Sequence, residues 1–97
     1  MRLRLNALAD VDIGNLYARG CEDFGEATAD LYFDGLLEAF ERIRRFPSGA
    51  PRRVVEGHEF RVLRYRSHSI VYQVLPGEVV IVRVLHGAQD AKRHLQT

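Results

Sequence analysis

The chain has 97 residues, 46% of them hydrophobic, which suits one compact domain and leaves no room for a second. One cysteine, Cys21, excludes an internal disulfide and fits a reducing compartment such as the cytoplasm. The formal net charge of +1 hides a polarity: residues 1–41 carry three Arg against nine Asp or Glu, a net of −6, and residues 42–97 carry a net of +7.

Thirteen of the fourteen basic residues are arginine, the side chain suited to bidentate contact with carboxylate or phosphate. The basic half is therefore either a solvated face or a surface that meets an acidic protein or a nucleic acid. Arg2, Arg4, Asp10 and Asp12 interrupt any apolar run at the N-terminus, so no secretory leader is expected. No apolar stretch approaches the ~20 residues of a membrane span, and no membrane contact is expected.

In chain order, Met1–Leu5 alternates apolar residues with Arg, as a short half-buried strand does. Asn6 is placed to cap a helix over residues 7–24, with Ile13, Leu16, Tyr17, Gly20, Cys21 and Phe24 at helical spacing. Gly14 and Gly20 each weaken that helix by ~1 kcal/mol relative to Ala, and Gly20 falls on the apolar face, where it lets a second helix approach. Gly25 breaks the pattern.

A second helix is expected over 26–46. Ala29, Tyr32, Phe33, Leu36, Leu37, Phe40 and Ile43 form one stripe, Arg42, Arg44 and Arg45 suit the negative end of the helix dipole, and Pro47 stops it. Two amphipathic helices broken at Gly25 read as a hairpin.

Ser48–Arg53 reads as a loop without periodicity. Strands are expected at 60–66, 69–75 and 78–86, with Pro76-Gly77 as the last turn. That turn sets Tyr72 opposite Ile81 and Ile70 opposite Arg83. One sheet face then carries Ile70, Tyr72, Val74, Val79 and Ile81, and the other Val71, Val80, Val82 and Val84. Helices can cover only one such face, so the other needs the C-terminal segment or another chain. Asp90–Leu95 reads as a last short helical turn.

No Gly-rich phosphate loop links a strand to a helix, and no cofactor is implied. His58, His68, His86 and His94 show no close pairing in sequence, so no metal site is expected. Cys21 has the register of a buried, inert thiol. The acidic residues crowd the helices as a solvated face does. The dense polar segment runs from Arg83 to Leu95. Structurally it offers a strand release at Gly87 and a cap at Asp90; functionally it gathers cations and donors in one place.

Tyr65-Arg-Ser-His-Ser-Ile-Val-Tyr72, then Val80-Ile-Val-Arg-Val-Leu-His-Gly87, Gln89-Asp90 and Arg93-His94-Leu95, resemble the signature of ParE toxins. The upstream strand and two helices match that family more loosely. The resemblance implies an α+β fold of the RelE/ParE type over residues 1–97: an N-terminal strand, a helical hairpin packed on an antiparallel sheet, and a short C-terminal turn. It implies a type II toxin–antitoxin pair, a ParD-like antitoxin that binds with an extended or helical segment, and DNA gyrase as the poisoned target. It does not imply sequence-specific nucleic-acid binding.

The alternative is the ribosome-dependent mRNA interferase branch of the RelE type. Cleavage through a ribose 2′-hydroxyl needs a base, an acid and cationic stabilisation. Where that branch has basic residues and a C-terminal Tyr, this chain has Ser69, Ala88 and Gln89, and Leu95, with His86, Lys92, Arg93 and His94 nearby. No catalytic residue is therefore expected. Arg61, Arg64, Arg66, Arg83, His86, Gln89, Arg93 and His94 are the candidates for partner contact.

Overall fold

A computed structural model describes residues 1–87. The elements run β1 (Arg2–Leu5), α1 (Ala7–Phe24), α2 (Glu26–Arg45), β2 (Arg52–Val55), β3 (His58–Tyr65), β4 (His68–Leu75) and β5 (Glu78–His86). The two helices pack on one face of a five-stranded sheet of order β1-β5-β4-β3-β2. Strands β2 to β5 are antiparallel neighbours, whereas β1 joins β5 in parallel. The whole helical hairpin and three strands separate β1 from β5 in sequence, long enough to bring the chain back in the same direction.

The Asn6 side chain accepts from the Ala9 amide at 2.9 Å, the cap its sequence position predicts. Gly25, at φ +89°, is the single residue between the helices, and its amide closes α1 by donating to the Cys21 carbonyl. A Cβ on Gly20 would already be in van der Waals contact with Ala29, so the close helix approach expected there is present. The α2 stripe is buried at Ala29, Leu36, Phe40 and Ile43, joined by Ala39. Two expectations change. Phe24 is 72% exposed because it sits at the tip of the hairpin, beyond the sheet. Leu37 is 45% exposed, at the lip of a groove between β1 and the helices.

The sheet departs from the sequence reading in two places. Arg52–Arg53, which reads as loop in the sequence, opens β2, which pairs with β3 from Arg52–Arg61 to Val55–His58. Arg-Arg-Val-Val has no alternation to betray a strand, and the turn joining it to β3 is Glu56-Gly57, both at positive φ. That conformation is ordinary for a two-residue hairpin turn, but Asn or Asp, not Glu, is its usual first residue.

The second departure is a bulge. Tyr72 does lie opposite Ile81, but β5 gains one residue before Val71 pairs with Arg83, so Ile70 faces Val84 and not Arg83. Val84 is thereby moved into the helix-side core with Ile70, Tyr72, Val79 and Ile81. On the opposite face Val71 and Leu85 are buried, with Phe60, Val62 and Val82 packed against them. The last turn expected at Asp90–Leu95 lies outside the described residues. Among the described residues no helix is long and apolar enough to cross a membrane.

Candidate functional site

A pocket of about 600 Å³ opens between the tip of the helical hairpin and the far ends of β4 and β5, bounded by Tyr17, Phe24, Tyr32, His68 and His86. The strand register builds its floor. His68 and His86 lie directly opposite each other, with ring centroids 5.1 Å apart and planes nearly perpendicular. This corrects the expectation that no two histidines pair: the hairpin joins residues that the linear sequence keeps apart. The bulge is what brings His86, and not Leu85, across from His68, and Val-Arg carries no turn residue that would announce it.

Tyr32, from α2, ties the floor to the helices. Its hydroxyl lies 2.7 Å from His68 Nδ1, accepts the Ser67 amide at 3.2 Å and reaches the Tyr65 carbonyl at 3.4 Å. Tyr65 answers by donating its hydroxyl to the Tyr32 carbonyl at 3.0 Å. A Cβ on Gly35 would overlap that Tyr65 hydroxyl, so the glycine in α2 is what admits the Tyr65 ring beneath the helix. Burial, then the neighbouring His86 and Arg64, push the His68 pKa down to about 4. Burial likewise raises that of Tyr32. At neutral pH the pair is an uncharged imidazole against an uncharged phenol. Such a histidine is a weak base, and among the described residues no group of three His, Cys, Asp or Glu could hold a metal ion.

Beside the pocket, β5 runs on past the end of β1 and its edge is closed by a side chain. Asp12, on α1, accepts Arg83 Nε at 2.8 Å and Nη2 at 3.1 Å, and also the Val84 amide at 2.9 Å. One carboxylate thus replaces the missing strand and neutralises the arginine. The contact raises the Arg83 pKa, chiefly through the Asp12 hydrogen bond.

The strand arginines therefore do not form the single unpaired cluster that the charge count suggests. Arg83 is clasped by Asp12. Arg61 donates to the Ser48 and Ala50 carbonyls at 3.2 and 2.6 Å, holding the loop after Pro47 in place. Arg64 donates to the Arg66 carbonyl at 2.8 Å and is exposed, on the face opposite Arg61. Arg66, at φ +48° in the β3–β4 turn, lies over the Tyr65 ring with its guanidinium 5.9 Å from the centroid. His86 is exposed at the pocket. Gln89, Arg93 and His94 lie outside the described residues. Arg64, Arg66, Arg52 and Arg53 are the exposed basic residues of the β2–β4 end of the sheet. Ser69, at the position where the cleaving branch would carry a base, is 2% exposed and donates its hydroxyl to the Gly87 carbonyl at 3.1 Å.

Residues 3–91 match the family described as ParE toxin of type II toxin–antitoxin system, parDE. Among solved structures, a chain of the chromosomal ParDE TA system from P. aeruginosa superposes with a TM-score of 0.76 at 23% identity, covering 90% of this chain and 96% of that one. At that identity the likeness speaks for the fold, and it agrees with the strand, hairpin and sheet described above. No protein of curated function matches the chain. The family match spans almost the whole chain, and the protein belongs to the ParE toxin family of type II ParDE toxin–antitoxin systems.

Proposed function

We propose that this chain is a toxin that acts by binding, poisoning DNA gyrase, and that a ParD-like antitoxin neutralises it in the cytoplasm. The observation that carries the reading of binding over catalysis is Ser69. The position that would supply a base for RNA cleavage holds a buried hydroxyl already committed to the Gly87 carbonyl. The nearby histidine, His68, is uncharged at neutral pH and hydrogen-bonded to Tyr32. An RNA-cleaving site needs a base near neutrality and a free cation aimed at the phosphate. Arg83, on β5 beside the pocket, is held by Asp12. The exposed arginines at the β2–β4 end suit an acidic antitoxin segment, because arginine keeps its charge when partly covered and forks to a carboxylate.

The test uses purified components. The protein is added to gyrase and supercoiled DNA, with and without its antitoxin, and in parallel to ribosomes carrying mRNA. Gyrase-dependent DNA cleavage that the antitoxin suppresses is the expected result. Codon-positioned mRNA cleavage with gyrase unaffected would overturn the proposal.

A further inference from the structure

At the floor of the hairpin-tip pocket two imidazoles meet across β4 and β5. His68 and His86 are directly opposed in the strand register, so their side chains share one face of the sheet. Their ring centroids are 5.1 Å apart and the ring planes stand at 87°. That spacing has a chemical meaning. A Zn(II)–N bond of about 2.0–2.1 Å and the ~1.1 Å from nitrogen to ring centre put each centroid ~3.2 Å from a shared ion, so at the tetrahedral angle the two centroids lie ~5.2 Å apart. The pair already has this separation. His86 is exposed, so its ring can turn a nitrogen toward His68 without disturbing the core.

The hydrogen bonds around His68 set its tautomer. The Tyr32 hydroxyl receives the Ser67 amide at 3.2 Å and has the Tyr65 carbonyl, at 3.4 Å, to donate to. It is then an acceptor for His68 Nδ1–H, 2.7 Å away, which leaves the lone pair of the neutral ring on Nε2. Histidines that bind metal ions are held in this way, with the second ring nitrogen tied to a fixed partner that sets tautomer and orientation. Tyr32 is fixed in turn by Tyr65, whose hydroxyl donates to the Tyr32 carbonyl. The neighbouring charges are already engaged. Asp12 is taken by Arg83, and the Arg64 guanidinium, though its charge is felt at His68, is drawn off to the Arg66 carbonyl.

We propose that His68 and His86 form a two-histidine site for a divalent transition-metal ion, Zn(II) being the one whose tetrahedral geometry fits their spacing. His68 binds through Nε2, and His86 through the nitrogen that its exposed ring turns inward. Imidazole suits Zn(II), Cu(II) and Ni(II), whereas Mg(II) and Ca(II) take oxygen ligands. Among the described residues no third His, Cys, Asp or Glu joins the pair, so two positions of a four-coordinate ion open into the pocket of about 600 Å³. Water fills them, or donor atoms of a small molecule in the pocket. The bound ion joins the ends of β4 and β5 and, through Tyr32, fastens them to α2. The site rests on the geometry of the pocket floor and does not depend on the chain being a toxin.

The probe is Zn(II) chloride, titrated into the isotope-labelled, metal-free full chain at a pH of about 7.5, where the imidazoles are neutral, with Mg(II) as the control. The ring resonances of His68 and His86 should move together and saturate at one ion per chain. The melting temperature should rise with Zn(II) and not with Mg(II). His68→Gln and His86→Gln should each abolish this response. His58→Gln, at the far end of β3, should keep it. Tyr32→Phe, which removes the partner of Nδ1, should weaken binding roughly tenfold or more. His86 is exposed, so His86→Gln keeps the fold and decides the matter if His68→Gln or Tyr32→Phe does not fold. No saturable response to Zn(II), an equal response to Mg(II), or a response that His86→Gln retains would overturn the proposal. So would a response that His58→Gln removes, or a folded Tyr32→Phe variant that binds as tightly as the wild type.

Discussion

Replacing Asp12 by alanine should be among the most damaging single changes on the surface of this protein. The side chains of Asp12 and Arg83 are only 14% and 26% exposed, and the carboxylate serves three donors: both forks of Arg83 and the Val84 amide. Removing one partner of a buried ion pair costs ~3–5 kcal/mol, which the residual exposure of Arg83 reduces to roughly 2–3. The bare strand-edge amide adds about 1 kcal/mol. A loss of about 3–4 kcal/mol corresponds to a drop in Tm of roughly 12–30 °C for a domain of this size. Asp12→Asn keeps an acceptor for Val84 and should cost about 1 kcal/mol less. Equilibrium denaturation of the single variants and of a double variant with Arg83→Met gives the coupling directly. If the clasp is what matters, Arg83→Met recovers at least about 1 kcal/mol in the Asp12→Ala background. A change in stability within about 0.5 kcal/mol for Asp12→Ala, or strict additivity with Arg83→Met, would refute the reasoning.

Gly35→Ala should destabilise the fold by about 1–3 kcal/mol, because the new Cβ meets the Tyr65 hydroxyl. Gly14→Ala, at a helical position with nothing within 4 Å, should stabilise it by up to about 1 kcal/mol; thermal melts of the two variants check the contrast. His68 has a folded pKa of about 4 against an ordinary 6.5, so the unfolded chain takes up its proton first. Stability from this group is complete above about pH 7 and declines as pH falls from 6.5 towards 4. After discounting for partial exposure, the loss is about 1–2 kcal/mol. Denaturation at a series of pH values should show that decline in the wild type and a flatter profile in His68→Gln. Arg64→Glu and Arg66→Glu leave the Arg61 and Arg83 contacts untouched and should slow antitoxin association and flatten its salt dependence; unchanged association rates in stopped flow would show that these arginines are solvated surface.

The helices were legible because their signals are local and redundant: an Asn6 cap, a seven-residue apolar stripe, a single Gly25 break and a Pro47 stop agree with one another. Strands β3 to β5 were legible from β-branched composition, and one of their two turns from Pro76-Gly77. The features that the sequence hid are long-range. β2 has no alternation, and its turn uses Glu56 where Asn is usual. The bulge before Arg83 has no glycine to mark it, yet it shifts Val84 into the core and sets His86 against His68. Asp12 reads as one more acid on a solvated helix face, and only the fold shows that it meets Arg83. For the same reason charge counting found the basic half but misjudged its organisation. Arg61 and Arg83 are consumed by internal carbonyl and carboxylate partners, whereas Arg64 and Arg66 are left at the surface.

A binding poison and a nuclease differ most directly in stoichiometry. The decisive measurement is a titration of the purified protein against a fixed concentration of gyrase, with supercoiled DNA as substrate, run in wild type and in a His68→Gln/His86→Gln variant. Action by binding predicts that the effect on gyrase saturates near one toxin per binding site and that the double variant shifts the curve without abolishing it. The contrary result is no effect on gyrase at equimolar protein, together with multiple-turnover RNA cleavage at substoichiometric protein that the double variant loses completely.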